Sequence, residues 1–236
     1  MMDKQMPSPI LITGCARSGT SMVAAMVNIC GAFGGNMSGP NGNNQKGMFE
    51  NAVVRQSIVK PYLKQIGADS MGQYPLPNVK GLVIPTNWKD RVEGVFREQG
   101  WQDGPWFYKG AKACLTWPIW QYAFPDAKWI IVRRRPPDII NSCMRTGFMR
   151  AYARTQIQRA VGAKTEAEGW LWWIHQHEER FVEMIQAGMN CKVVWPERMV
   201  AGDYSQMMET IDWLGLEWNS DALSFIDPKL WKARRK

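Results

Sequence analysis

Short apolar runs alternate along the chain with longer stretches of helical spacing. "SPILITG" (8–14) ends its apolar run at a glycine, and "GPWFYKG" (104–110), "KWIIV" (128–132) and "CKVVW" (191–195) are similar runs. Short continuous apolar runs bounded by turn residues predict buried strands. Between them, "SGTSMVAAMVNICG" predicts a helix closed near Gly31. A second helix is expected from about Glu50 to Ile66, kinked or broken near Pro61. "TNWKDRVEGVFREQG", "LTWPIWQYAF", "DIINSCMRTG" and "YSQMMETIDWLG" read as further helices. "EAEGWLWWIHQHEERFVEMIQAG" is the clearest long one, closed by Gly188. Residues 32–47, rich in Gly and Asn, and the basic stretch 147–165 read as loops or mobile segments.

Strands that alternate with helices predict an α/β domain: a mostly parallel, doubly wound sheet with flanking helices, in a P-loop-like three-layer sandwich. The 236 residues, 45% hydrophobic, suit a single domain over 1–236. No run of about 18 apolar residues occurs, so no membrane association is expected. "MMDKQMPSP" lacks the apolar core of a signal peptide, and the five cysteines are widely spaced without a CxxC pair. Both observations predict a cytoplasmic protein without a zinc site or disulfide framework. The net charge of +8 favours anionic partners without choosing among nucleic acid, a phosphorylated cofactor and an acidic polymer. The 13 tryptophans read as core or pocket walls, with a sugar-stacking face as the alternative.

Chemistry enters at "GCARSGTS" (14–21). A glycine-rich turn between a strand and a helix turns successive backbone N–H groups onto one spot, where the helix N-terminus adds partial positive charge. Gly14 and Gly19 permit the tight wrap, Ala16 takes up little room, and Ser18, Thr20 and Ser21 add hydroxyls. Arg17 adds a planar cation. A triphosphate loop carries Lys where Thr20 stands, and no strand ends in a magnesium-binding Asp. Both departures weigh against a nucleotide kinase. The second signal is "RRRPPDIINS" (133–142), which puts Arg134 at the carboxyl end of a strand and Ser142 one helical turn beyond Asp138. Ligands of open α/β sheets bind at that edge. A basic nucleic-acid-binding module is the other class open to this charge, but no helix-turn-helix, RNA-recognition or zinc pattern is present, so nucleic acid is not the expected partner.

"ITGCARSGTSMV" resembles the 5′-phosphosulfate loop of sulfotransferases that use 3′-phosphoadenosine 5′-phosphosulfate (PAPS). "FPDAKWIIVRRRPPDIINS" is similar to that family's 3′-phosphate signature. Arg134, Pro136, Asp138 and Ser142 match its spacing, whereas Arg135 departs from the usual acidic or amide residue. "VVWPERMVAGDYSQMMETIDWLGL" resembles the family's C-terminal strand, Glu and helix. The resemblance implies PAPS as co-substrate, no required metal, and sulfuryl transfer to a hydroxyl or amine of a small-molecule or glycan acceptor. It implies that residues 17–21 hold the 5′-phosphosulfate and that Arg134 and Ser142 hold the 3′-phosphate. It also implies Glu50, after the first helix, as the base, since other members carry a Glu there. Lys109 then contacts sulfate or acceptor, although the family's nearby Pro is absent and Lys112 replaces an Arg. His175 and His177 read as surface features of their helix, and the tail "KLWKARRK" as a closing strap or a frayed end.

Overall fold

The computed structural model describes residues 5–42 and 44–231. Its elements follow the expected alternation. Strand β1 (Ile10–Gly14) leads into α1 (Thr20–Ile29), and a π-helical turn at Val54–Val59 runs on into α2 (Lys60–Gln65). Then come α3 (Trp88–Glu98), β2 (Phe107–Lys109), α4 (Trp117–Ala123), β3 (Lys128–Val132), α5 (Pro136–Met144) and α6 (Thr155–Ala160). The long α7 (Glu166–Gln186) precedes β4 (Cys191–Val194), α8 (Pro196–Val200) and α9 (Ser205–Leu214).

All four strands are parallel, in the order β2-β1-β3-β4. Side chains alternate across them. Ile10, Ile12, Phe107, Ile130 and Val132 face one apolar layer with α1 and α9, while Leu11, Tyr108, Trp129 and Ile131 face the other with α3, α4, α5 and α7. Burial on both faces explains why the strands read as continuous apolar runs. Trp88, Trp106, Trp120, Trp129 and Trp170 are fully buried, so most of the tryptophan signal belongs to the core and not to a sugar platform.

Two local readings change. Pro61 widens a helical turn without breaking the helix. Proline has no N–H to give the carbonyl of Ser57, and its ring crowds that carbonyl in an α-helix. The chain adopts the π turn just ahead of Pro61, and Arg91 Nη2 donates to the Ser57 carbonyl at 2.8 Å. Residues 147–165, expected as a loop, hold a 3-10 turn (Ala151–Ala153) and α6. A single aromatic anchors this polar stretch. Tyr152 is fully buried against Trp170, and its hydroxyl donates to the Gln73 carbonyl at 3.0 Å. Residues 32–47 contain only isolated bridges among their described residues.

The order of the strands positions the site. The chain leaves central β1 for β2 on one side and then crosses to β3 on the other. The loops after β1 and β3 therefore diverge from neighbouring strand ends, which opens a crevice at the carboxyl edge.

Candidate active site

At the end of β1 the backbone is shaped for close approach. A Cβ on Gly14 would lie 2.3 Å from the carbonyl of Val132, its partner in the β1–β3 register. The turn then passes through Arg17 at φ 74° and Gly19 at φ 98°, both left-handed. Ser18 N–H donates back to the Cys15 carbonyl at 3.1 Å. No side chain caps α1, so the N–H groups of Thr20 and Ser21 have no acceptor within the helix. The Ser18 hydroxyl is buried without a hydrogen bond among the described residues. An uncapped first turn and an adjacent guanidinium fit an oxyanion.

Strand adjacency joins the two arginine motifs. Arg134 follows β3, beside the loop of β1, and its Nη1 donates to the Arg17 carbonyl at 3.0 Å. Arg17 Nε donates to Ser142 Oγ, also at 3.0 Å. Ser142, expected to share an anion with Arg134, instead orients Arg17. Burial holds both guanidinium groups below the usual arginine value. The neighbours of Arg134 in sequence go elsewhere: Arg133 pairs with Glu178 on α7, and Arg135 with Asp138. The ring of Trp231 lies over the Arg134 guanidinium, 3.9 Å away. Of the tail, residues 232–236 lie outside the described residues.

Opposite the loop stands Glu50, 3% exposed. It follows Phe49, a non-glycine residue at φ 51°, a strained conformation of the kind that gathers at functional sites. Its Oε2 accepts from Arg55 Nη1 at 3.4 Å, and its Oε1 makes no hydrogen bond among the described residues and lies 4.0 Å from Lys112 Nζ. Burial pushes the Glu50 carboxyl up, but Lys112, Lys109 and Arg55 together hold it below the usual carboxylate value. Lys109, at the end of β2, is 5% exposed, and its ammonium has no ion pair or hydrogen bond among the described residues. Burial and the surrounding cations hold it below the usual lysine value, although Glu50 acts the other way.

These groups line one cavity of about 460 Å³, within the range of small-molecule sites. Its walls include Ala16, Arg17, Gly19, Thr20, Ser21, Arg134, Glu50, Lys109 and Lys112. Gly14, Ser18 and Ser142 are not in the lining and act on the loop from the protein side. The Ser21 hydroxyl, expected to face the donor, instead gives its proton to the Met48 carbonyl at 3.0 Å and accepts from Asn44 at 2.9 Å. It thereby ties the loop to the segment ahead of Glu50.

Sequence reasoning missed Arg55, Lys60 and His177 as lining groups. Arg55 carries no motif. His177 was expected on a helix surface but is 1% exposed at the cavity wall, while His175 faces solvent. The Trp173 carbonyl, 2.8 Å from His177 Nδ1, can only accept, so Nδ1 carries the proton. Burial lowers the His177 pKa to about 4 and keeps the ring neutral near pH 7. The four-residue spacing from Trp173, on the face that also buries Trp170, was the signal available. Among the described residues, no group of three or more His, Cys, Asp and Glu could hold a metal ion, and no helix is long and apolar enough to cross a membrane.

The site thus sits in a parallel α/β sandwich with a strand–loop–helix anion cradle at the switch of strand order. Several solved structures that superpose on this chain are sulfotransferases. The chain superposes on the sulfotransferase domain of the curacin biosynthetic pathway with a TM-score of 0.57 and 14% identity, covering 95% of this chain and 79% of that one. The sulfotransferase domain of the Synechococcus PCC 7002 olefin synthase gives 0.56 at 14% identity, over 98% and 89%. A sulfotransferase from Alicyclobacillus acidocaldarius gives 0.55 at 14% identity, over 96% and 89%. No protein-family model and no curated protein matches the sequence. The fold is therefore a sulfotransferase fold, as the two phosphate motifs imply.

Proposed function

We propose that this chain transfers a sulfuryl group from PAPS to a hydroxyl-bearing acceptor. One observation carries the reading: two arginines from separate motifs, the half-buried Arg17 and the buried Arg134, meet at the mouth of α1 in a cavity that also holds a buried carboxylate, Glu50. In this reading the first-turn N–H groups of α1 and Arg17 hold the phosphosulfate end, and Arg134 holds the 3′-phosphate.

The donor supplies the sulfuryl group: the acceptor oxygen forms a new S–O bond, the bridging S–O bond breaks, and adenosine 3′,5′-bisphosphate leaves. Every other task falls to the chain. Arg17, oriented by Ser142, balances charge on the departing oxygen. Lys109, without a partner of its own among the described residues, faces the same cavity and steadies the transferring oxygens. Glu50 is ionised near neutral pH and takes the acceptor's proton on Oε1, the oxygen without a hydrogen bond.

Calorimetry tests the reading. Adenosine 3′,5′-bisphosphate should bind without magnesium and more tightly than ATP. Magnesium-dependent ATP binding with none of the bisphosphate would replace it with a phosphotransferase.

A further inference from the structure

Beyond Glu50 the cavity holds cations that the donor does not use. Arg17 and Arg134 follow β1 and β3, whereas Lys112 follows β2, on the other side of β1. Strands lie about 4.8 Å apart, so β2 stands about 10 Å from β3. Lys60, the first residue of α2, lines the same cavity. Arg55, Lys60, Lys109 and Lys112 thus line the cavity together with Glu50, and Asp227 is the other carboxylate in the lining among the described residues. Lys112 is 9% exposed, and its only ion pair among the described residues is with Glu50 at 4.0 Å. Lys60 has no ion pair there. Burial and the like charges of Lys112 and Arg55 hold its ammonium below the usual lysine value. Lys60 is half-buried, whereas Lys112 is buried and shares its one distant carboxylate with Arg55, so a ligand's negative charge would offset the cost of that buried cation.

The wall beside these lysines is apolar. The Lys112 stem crosses Gly72, where a Cβ would lie 2.9 Å from Lys112 Cγ. Met71 precedes that glycine, and Gln73 after it donates to the Phe148 carbonyl at 2.8 Å. This bond brings Phe148 and Met149 to the same wall. Met71 and Phe148 are 41% and 37% exposed and stand together on this wall, so they offer an apolar face to a bound ligand.

We propose that Lys60 and Lys112 form an acceptor subsite for a carboxylate, so that the acceptor is an alcohol with an apolar body and a carboxylate on it. The assignment rests on the sulfuryl-transfer reading for the role of the alcohol. The subsite itself has a direct test. Full-length protein is titrated with ω-hydroxycarboxylic acids of increasing length, each beside its methyl ester. At least one acid should bind about tenfold or more tightly than its ester, the scale of a charged hydrogen bond. Lys60→Gln should bring that pair to near-equal affinity, and Lys60→Arg should retain the preference, both with unchanged thermal midpoints. Equal affinities throughout, no saturable binding of any acid, or a preference that survives Lys60→Gln would overturn the subsite. Adenosine 3′,5′-bisphosphate is titrated separately. Its failure to bind would sink the donor reading and leave the acid–ester comparison to decide the subsite alone.

Discussion

At the residue scale, the site depends on charges placed where water is scarce. Arg134 is 6% exposed, and its head group combines a hydrogen bond to the loop with a Trp231 face. Arg134→Ala should weaken adenosine 3′,5′-bisphosphate about 10- to 100-fold, which calorimetry reads directly. An unchanged dissociation constant would remove Arg134 from the donor site. Glu50→Gln keeps the shape of the side chain and deletes its proton acceptor. It should lower turnover about 100-fold or more with donor affinity intact, as a coupled assay and a bisphosphate titration would show. Near-normal turnover would move the base to another group.

At the element scale, the loop works because β1 and β3 close against each other. The contact of Gly14 with the Val132 carbonyl is backbone on backbone, so nothing flexible can give way. Gly14→Ala should cost about 2–3 kcal/mol or more, from overpacking and from a φ of 153° that favours glycine. A shift in the urea midpoint measures it, and a midpoint within error of wild type would contradict the geometry. The same scale explains what the sequence left hidden. The turn ahead of Pro61 looked like a kink or a break because propensity registers the missing N–H but not the distant Arg91 that satisfies Ser57. The stretch 147–165 looked unstructured because one buried tyrosine carries the anchoring that a periodic apolar face normally spreads over many residues.

At the scale of the whole molecule, the neutral His177 links the site wall to folding. Its pKa falls from the ordinary 6.5 to about 4 in the folded chain. Between those values the unfolded chain binds a proton that the folded chain does not. The contribution of His177 to stability is therefore full above pH 6.5 and is lost as the pH falls toward 4. The shift corresponds to roughly 3–4 kcal/mol. Chemical denaturation of His177→Asn should show a shallower loss of unfolding free energy across that window than wild type, and equal slopes would refute the assignment.

The sequence by itself determined the strands, most of the helices and both phosphate motifs, because each is written in neighbouring residues: an apolar run, a glycine turn, an arginine at a strand end. Glu50 and Lys109 were also legible as candidates, from their places after a glycine-rich loop and a strand. Only the tertiary structure decided what these residues touch. It turned Ser142 to Arg17 and Ser21 to Met48, sent Arg133 and Arg135 away from the cavity, and brought Arg55, Lys60 and His177 to its wall. The physical reason lies in the strand order. Which loop ends stand side by side follows from long-range pairing of β2, β1 and β3, and no local pattern in the chain encodes that adjacency.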